Sequence, residues 1–442
     1  MKRRGFIKKA AAATAGAFTV PYILPSGRLF AASGAQLAEH VVMVMFAGGV
    51  RQQESVERNY LAQSQGIPAE GNIMYNMLDG LPPTQKIVYG TDGNLAGDTP
   101  IPQILNSTLQ QQGTLFQEVR SSHAGHYGGM NALLQGNTLF SQGLRQKPLN
   151  PTVFEYARRH LGIPASKTWF VGGGIGNSTP LMNYSNHPDY GPDYGANFLA
   201  PSITFGSQGQ EHLSNAKIYH PEEELNPIYQ MKYFLDNNFE NVGGTIESIY
   251  NTEDEKQNIK LFMREMYNLG GNISRPPVSD NNDLNTVAYA VEVMKWFKPN
   301  LTVVNLGNVD ACHSNYTDYL RALHRADHAV GHIWNQVNQI PGMANNTVML
   351  ITPECGRNLN SNPIKDENDW RAFDHSDANT QRVFTQMVGP NVPSNLVRGG
   401  IGNQIGETAD NCPTIAEILG FKADVMGSGL ISSTAQSLFD RI

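Results

Sequence analysis

Acidic, imidazole and hydroxyl side chains gather at several points of this sequence, each at or soon after the end of an apolar run. In chain order they are Arg51 and Glu54; Ser121, Ser122, His123 and His126; Asp310, Cys312 and His313; Glu354, Cys355 and Arg357; and Asp374 and His375. Imidazole and carboxylate groups are common zinc ligands, and carboxylates also bind harder cations such as calcium and manganese. Each group alone is a weak signal because loops are generally polar, but together they would hold a divalent cation.

Strand-like runs must position these groups. Near-continuous apolar runs begin at residues 40, 113, 167, 300 and 346, with the sequences HVVMVMFAGG, GTLFQEVRSS, KTWFVGGG, NLTVVNLGNV and NTVMLIT. Segments with the apolar spacing of helices lie between them, at about 126–136, 283–297 and 316–337. Buried strands that alternate with helices predict an α/β fold, with a mainly parallel central sheet and helices on both faces. Ligands of such sheets bind beyond the carboxyl ends of the strands, so we expect the polar groups to converge there.

The amino terminus has the features of an export signal. The opening MKRRGFIKKAAAATAGAFTV contains twin arginines at Arg3 and Arg4, followed by a mild, alanine-rich apolar stretch. This pattern is typical of the twin-arginine route, which carries folded proteins across the bacterial inner membrane, and it predicts a periplasmic or secreted protein. The apolar stretch is short and interrupted by prolines, so we expect no stable membrane span. Residues 1–35 are therefore assigned to the signal.

The rest of the chain, 36–442, is predicted to form one large domain. Of the 442 residues of the full chain, 16% are charged and 40% are hydrophobic, and the formal net charge is −7. This balance gives no electrostatic reason to expect nucleic acid as a partner. The stretch from about 180 to 285 is rich in Asn, Asp, Tyr and Pro and has weak periodicity. We interpret it as a polar insertion or cap on the same domain.

Two further groups of residues leave alternatives open. The chain has three cysteines, and Cys312 and Cys355 follow two strand-like runs at equivalent points, so a disulfide between them is one option. His324, His328 and His332 recur every four residues on the long predicted helix. Because the apolar residues of that helix lie on the other side, the histidines face solvent or an insertion, and we favour a solvent-facing stripe over a metal site.

Six short motifs, taken in chain order, resemble the alkaline phosphatase superfamily, and more closely its sulfatase-like, twin-arginine-exported bacterial family of unknown function. They are VVMVMFAGGVRQQ from residue 41, GHYGGMNALLQG from 125, NVDACH from 308, TPECGRN from 352, FDHSD from 373 and DNCPTIAEILGF from 410. The resemblance covers most of the chain after the signal. It implies an alkaline-phosphatase/sulfatase-like α/β fold and an exported, metal-dependent hydrolase acting on small anionic esters of phosphate or sulfate.

The resemblance also implies roles for individual residues. The implied metal ligands are Asp310, His313, Glu354, Asp374 and His375. Zinc is the metal we expect first, and calcium and manganese are the alternatives. Ser121 or Ser122 is implied as the nucleophile, helped by the amino terminus of the helix that follows. Two further candidates come from the residues themselves and leave alternatives open: His126 would line the pocket or cap a helix, and Arg357 would hold an anion or form a salt bridge with Glu354.

Departures from the superfamily pattern keep a second hypothesis open. Where the first strand of the superfamily offers an acidic ligand, this chain has Ala47, Val50 and Arg51, and a fixed guanidinium would repel a second cation. Cys355 replaces an aromatic residue, and Gly125 stands where related sequences often have Ser. One metal, or none with Arg51 and Arg357 holding an anion, are therefore alternatives. The second hypothesis is a non-catalytic periplasmic binding or scaffold protein with a degenerate site.

Overall fold

A computed structural model describes residues 34–59, 71–81, 101–139, 147–172, 182–205, 249–270, 272–276 and 282–442. It also describes the backbone of two short strands, Tyr22–Ile23 and Leu29–Phe30, which pair antiparallel with each other. The twin arginines, and with them most of the predicted signal, lie outside the described residues. So does much of the predicted insertion at about 180–285.

Eight strands of the described residues form one sheet. They are β1 (His40–Phe46), β2 (Gly113–Arg120), β3 (Thr168–Gly172), β4 (Asn197–Leu199), β5 (Leu301–Leu306), β6 (Thr347–Pro353), β7 (Arg382–Val388) and β8 (Leu396–Arg398). Their spatial order is β8-β2-β7-β6-β1-β5-β3-β4. All neighbours run parallel except β7, which is antiparallel to both β2 and β6. The predicted, mainly parallel sheet is confirmed, and the reversed strand is an addition to it.

Helices surround this sheet. They are α1 (Leu109–Gln112), α2 (His126–Gln135), α3 (Val153–Leu161), α4 (Pro201–Thr204), α5 (Glu253–Leu269), α6 (Asn282–Phe297), α7 (Tyr316–Val337), α8 (Asn411–Leu419) and α9 (Lys422–Gly427). Short 3-10 turns span Ala165–Lys167, Gly191–Tyr194, Asn308–His313, Ala378–Gln381, Thr408–Asp410 and Leu438–Arg441.

The sheet has a separate hydrophobic core on each face. Successive residues of β1 point to opposite sides, so Val42 and Val44 pack in one core while Val41 and Met43 pack in the other. The first core contains residues from α5, α6 and α7, and the second contains residues from α2, α3 and α8. Both faces are therefore covered, as near-continuous apolar strands require. Helix α5, inside the predicted insertion, packs Phe262 into the first core 6.3 Å from the ring of Trp169.

The three cysteines are free and buried, so the disulfide considered between Cys312 and Cys355 is not formed. Burial also raises the pKa of the Cys312 thiol to about 12, despite the opposing effect of the nearby Arg357 guanidinium. The described helices include none that is both long and apolar enough to cross a membrane.

The histidine stripe of α7 is not a solvent-facing surface, so that interpretation is wrong. His324, His328 and His332 are only 3%, 1% and 7% exposed. The ring of His324 donates from Nδ1 to the Ile73 carbonyl at 2.7 Å and accepts at Nε2 from the Ile101 backbone N–H at 3.0 Å. Segments before β2 in the chain thus cover this side of α7, and apolar spacing along α7 alone could not reveal them.

The burial of His324 predicts a dependence of stability on pH. Desolvation lowers the pKa of His324 to about 4, while the unfolded ring titrates near its ordinary 6.5. The neutral ring of the native state therefore contributes stability above pH 6.5 that is lost as the pH falls through 4. We expect the unfolding free energy of the wild type, relative to His324→Gln, to fall by about 3 kcal/mol over this window. Urea unfolding of both proteins across the window measures it; a constant difference would contradict the prediction.

Candidate metal centre

The sheet topology brings the predicted site residues to one edge. Strands β1, β2, β5 and β6 end there, and because β7 runs in the opposite direction, it begins there. Asp310 and His313 lie on the turn after β5, and Glu354 follows β6 directly. Asp374 and His375 lie on the connection from β6 to β7, which leaves this edge and returns to it. These polar groups therefore lie together at the carboxyl ends of the strands, where we expected them.

Two glycines permit the close approach of these loops. A Cβ at Gly48 would lie 2.4 Å from the backbone nitrogen of Asp310, and a Cβ at Gly129 would lie 2.2 Å from the carbonyl oxygen of Glu354. Gly48 also donates its N–H to Glu354 Oε1 at 2.7 Å. The first turn of α2 and the loop after β1 are thus held directly against the Asp310 and Glu354 segments.

Glu354 and His126 form the buried floor of the site. Glu354 is fully buried, and His126, the first residue of α2, is 6% exposed. His126 Nδ1 donates to Glu354 Oε1 at 2.6 Å. Burial opposes protonation of this ring, but contacts with Asp310, Cys355 and Glu354 outweigh it and raise the pKa of His126 to about 12. The carboxylate therefore fixes the ring with Nδ1 inward and Nε2 toward the rest of the site.

Asp310 is the hub of the cluster. Its Oδ1 lies 3.2 Å from His126 Nε2, 3.3 Å from His313 Nε2 and 2.6 Å from an Arg357 guanidinium nitrogen. Burial alone would raise the pKa of Asp310, but these three partners hold it well below its usual range. One carboxylate oxygen thus lies close to three groups that carry or can accept positive charge. A metal cation bound beside this oxygen could take the place of the protons on the two imidazole nitrogens.

The outer rim consists of His313, Asp374 and His375. His313 Nδ1 donates to Asp374 Oδ1 at 2.9 Å, which leaves Nε2 facing Asp310. The ring of His375 lies 4.2 Å from that of His126 and 4.8 Å from that of His313, measured between centroids. Burial, with the charges of His126 and Arg357, lowers the pKa of His375 to about 4, so this ring is neutral near pH 7. The side chains of His313 and Asp374 are 36% and 46% exposed, so the rim opens to solvent.

The donor set fits a divalent cation. His126, His313 and His375 can bring one ring nitrogen each within 4.8 Å of the others, and His126, Glu354 and Cys355 form a second such group. Two buried atoms of the site, His126 Nε2 and Glu354 Oε2, have no hydrogen-bond partner. His126 Nε2 is close to Asp310, but the direction of its N–H does not suit a hydrogen bond. Buried polar atoms are rarely left unpaired, and a bound cation would satisfy both.

Arg51 does not oppose a cation in the way that the sequence suggested. Its guanidinium pairs with Glu54 Oε1 at 3.1 Å and lies over the ring of Phe373 at 3.9 Å. Glu54 also accepts from the hydroxyls of Tyr316 and Tyr319 at 3.0 and 3.4 Å. Because its charge is neutralised inside this buried pair, Arg51 is unavailable for holding an anion.

Arg357 lies behind the site rather than in it. Its guanidinium is fully buried and donates to the carbonyl oxygens of Gly48 and Phe373 as well as to Asp310. These bonds tie three loops to one side chain and fix the Asp310 carboxylate. The structure thus gives Arg357 a positioning role.

The predicted nucleophiles are less well placed than the ligands. Ser121 Oγ is buried, 2.8 Å from the carbonyl oxygens of both His123 and Glu354, so its proton is held by backbone acceptors. Ser122 Oγ is buried without a hydrogen-bond partner. His123 points its Nε2 to the Thr138 carbonyl at 2.6 Å, away from the cluster. The Ser121 hydroxyl is therefore held by backbone carbonyls rather than by a side chain of the cluster.

Sequence reasoning missed Asp283, which supports the site from α6. Its buried carboxylate accepts the backbone N–H groups of Gly307 and Asn308 at 2.8 and 3.0 Å. Burial raises its pKa to about 6, against the effect of these two bonds. Asp283 thereby fixes the start of the turn that carries Asp310. Nothing in the local sequence marks it, because the contact joins two elements that are predicted separately.

The close approach at Gly129 predicts a sharp difference between two glycine substitutions. In Gly129→Ala, the new methyl group would overlap the Glu354 carbonyl, so α2 must move and take His126 with it. We expect a loss of about 1–3 kcal/mol in unfolding free energy and at least about a tenfold weaker zinc affinity. The matched control is Gly125→Ala, where a Cβ meets no atom within 4 Å; we expect its cost to be under about 1 kcal/mol. Urea unfolding and zinc titration measure both, and equal effects would refute the prediction.

Comparison with known proteins gives likenesses of structure alone. No model of a protein family matches the chain, and no curated protein matches it. Among solved structures, a protein in the alkaline phosphatase superfamily from Vibrio parahaemolyticus matches at 12% identity and a TM-score of 0.36, over 99% of this chain and 79% of its own. The PsFucS1 sulfatase from Pseudoalteromonas sp. matches at 11% identity and a TM-score of 0.41, over 90% of this chain and 73% of its own.

The TAB5 alkaline phosphatase, solved with Mg bound, matches at 11% identity and a TM-score of 0.39, over 87% of this chain and 98% of its own. At TM-scores of this size, the likenesses leave the function to be argued from the side chains of the site. A lipoteichoic acid synthase, LtaP from Listeria monocytogenes, is also among the solved structures that match, at 11% identity and a TM-score of 0.38, over 95% of this chain and 78% of its own.

Proposed function

We propose that this protein is an exported hydrolase of phosphate or sulfate esters that depends on a divalent cation. The observation that carries the proposal is the convergence of His126, Asp310, His313 and His375 at one sheet edge, with His126 Nε2 buried and unpartnered. Twin arginines at Arg3 and Arg4 support the export, and a folded passenger that carries a metal suits that route.

The residues proposed to hold the cation are the three histidines and Asp310. Three imidazoles and one carboxylate are a typical zinc donor set, whereas calcium and manganese prefer oxygen ligands. When bound there, a divalent cation would act as a Lewis acid that polarises the ester and stabilises the charge that develops on its oxygens.

The surrounding residues of the chain orient those ligands. Asp374 accepts from His313 Nδ1 and Glu354 accepts from His126 Nδ1, so each carboxylate fixes a ring with Nε2 toward the site. Such outer partners raise the basicity of a histidine ligand and hold its tautomer. Two of the five ligands implied by the sequence, Asp374 and Glu354, thus support histidines at this position, and Arg357 supports Asp310 in the same way.

The substrate would bind at the exposed rim of the site. Among the described residues of the cluster, His313 and Asp374 are partly exposed while Glu354 and Arg357 are buried, so an ester would approach from the rim. His375 lies at this side beside His126 and His313 and is neutral near pH 7, so its ring can act as the third imidazole ligand without first losing a proton. A water nucleophile is consistent with the engaged hydroxyl of Ser121.

Removal of the cation tests the proposal. We expect the purified, folded protein to contain zinc and to hydrolyse an aryl phosphate or an aryl sulfate. Dialysis against a chelator should lower turnover at least about a hundredfold, and added zinc should restore it. Elemental analysis and product release measure both quantities. Turnover that is indifferent to chelation, in protein without bound metal, would refute the metal dependence.

A second candidate function is a non-catalytic binding protein with the same fold. The observation that favours it is that the Ser121 proton is held by carbonyls and that Asp310 already has three partners. Such a protein would bind phosphate or sulfate, detected as a shift in melting temperature, without releasing product from either ester. Measurable turnover lost in a site variant would exclude it.

A further inference from the structure

We propose that Cys355 is a ligand in a second, inner cation position, which it shares with Glu354 and His126. This inference rests on the proposed function, because the inner position lies directly beneath the proposed zinc site. It deepens that function by assigning a thiophilic cation to the buried side of His126.

The inner group is built from three enclosed side chains. Cys355 Sγ lies 3.8 Å from His126 Nδ1 and 3.8 Å from Glu354 Oε1. Glu354 and Cys355 are fully buried, and His126 is nearly so. The backbone holds the sulfur in place, since even a Cβ added at Gly49 would be only 3.3 Å from it. These contacts face away from the rim, so the group is distinct from the set that His313 and His375 complete.

An independent observation points to a ligand here. Glu354 Oε2 is buried and has no hydrogen-bond partner, although Oε1 of the same carboxylate has two. A buried anionic oxygen without a partner costs free energy that a cation would recover. The charge also balances, because the Glu354 carboxylate and a Cys355 thiolate together neutralise a dication in this enclosed place.

The distances suit a tetrahedral thiophilic cation. With usual zinc–sulfur, zinc–nitrogen and zinc–oxygen bonds, ligand atoms are separated by about 3.5 Å. The two sulfur separations of 3.8 Å are close to this value. The remaining separation, 2.6 Å between His126 Nδ1 and Glu354 Oε1, is short because a proton now bridges the two atoms. On binding, that proton and the thiol proton of Cys355 pass to solvent, and bonds to the cation from Nδ1, Sγ and the Glu354 carboxylate, including its unpartnered Oε2, replace them. When the outer position is loaded as well, the His126 ring also releases its Nε2 proton to solvent and bridges the two cations as an imidazolate.

His126 would then serve both positions, with Nδ1 directed inward and Nε2 outward. Its Nδ1 faces Glu354 and Cys355, while its Nε2 lies 3.2 Å from Asp310. Loading of the inner position therefore changes the ring that the outer position uses. The soft thiolate ligand determines which ion the inner position prefers, because thiolates bind zinc or cadmium in preference to magnesium and calcium.

Cobalt titration tests the proposal through absorbance rather than activity. Under anaerobic, reducing conditions we expect the wild-type protein to bind two equivalents of Co²⁺ and to develop a near-ultraviolet sulfur-to-cobalt charge-transfer band. Cys355→Ala should lose the band and one equivalent while keeping the visible bands of the outer site. Cys412→Ala, which removes another buried free thiol in α8, is the matched control and should keep both.

The outcomes separate this inference from the proposed function. Visible cobalt bands without the charge-transfer band in the wild type would overturn the Cys355 assignment and leave the outer site standing. No cobalt binding at all would overturn both. A band that persists in Cys355→Ala would also overturn the assignment. Should Cys355→Ala not fold, Cys355→Ser and the wild-type spectrum with Cd²⁺, whose thiolate band lies in the ultraviolet, decide between the same results.

Discussion

Replacement of Asp310 by asparagine is expected to lower ester turnover by about a thousandfold or more, equivalent to about 4 kcal/mol of transition-state stabilisation. The amide has the shape of the carboxylate, so the loops around it can keep their positions. The charge is lost, however, where one oxygen lies within 3.3 Å of two imidazole nitrogens and a guanidinium. Without it, Arg357 is a buried cation beside the metal position, and metal affinity should fall by at least about a hundredfold.

Steady-state kinetics and elemental analysis of the purified variant measure the Asp310→Asn effect. The matched control is Asp369→Asn, the same chemical change at a side chain that is 88% exposed, on the connection between β6 and β7. We expect this control to retain wild-type turnover and metal content. Asp310→Asn protein with full metal content and full turnover would place the chemistry elsewhere in the molecule.

Replacement of Glu54 by glutamine is expected to destabilise the fold by about 3–5 kcal/mol, because it leaves the Arg51 guanidinium buried without a counter-ion. Both side chains of the pair are at most 1% exposed. The double variant Arg51→Met/Glu54→Gln removes both charges and keeps an acceptor for the Tyr316 hydroxyl, so we expect it to recover more than half of the loss.

Urea unfolding of Glu54→Gln, Arg51→Met and the double variant tests the Glu54 prediction. The control is Glu292→Gln, which breaks the pair with Lys295 at the surface of α6 and should cost under about 1 kcal/mol. A double variant as unstable as the sum of its two single changes would show that the pair acts through packing rather than charge. The result also bears on the site, since Arg51 contacts Phe373, the residue before Asp374.

The parts of the fold that could be predicted are those with continuous apolar runs. Strands β1, β5 and β6 and helix α7 were predicted nearly to their ends because burial on both faces of the sheet demands such runs. Strand β7 was not predicted, because its sequence RVFTQMV is interrupted by Thr385 and Gln386. Both side chains are buried, and each donates a hydrogen bond to another element: the Thr385 hydroxyl to Thr352 Oγ1, and the Gln386 amide nitrogen to the carbonyl oxygens of Leu109 and Thr114. Partners from other elements make these polar residues acceptable in a core, and the local sequence does not contain them.

The candidate site, like the fold, has some features that the local sequence predicts and others that depend on contacts between distant segments. That Asp310, His313, Glu354 and His375 meet at one edge followed from strand polarity, which the sequence pattern defines. That Asp374 stands behind His313, and that Arg357 stands behind Asp310, depends on hydrogen-bond directions between distant loops. The burial of the α7 histidines likewise depends on segments 73–77 and 101–104, which are far away in the sequence.

The reversed direction of β7 has a consequence for how such a protein can diversify. Since β6 ends and β7 begins at the same edge, the intervening segment is anchored twice beside the pocket while its middle, around residues 359–369, lies largely exposed. Natural variation in length or composition there would reshape the mouth without disturbing the ladder between the two strands. Under the proposed function, such variation would change which alcohol portion of an ester fits the mouth, while Asp310 and His313, on the turn after β5, stay unchanged.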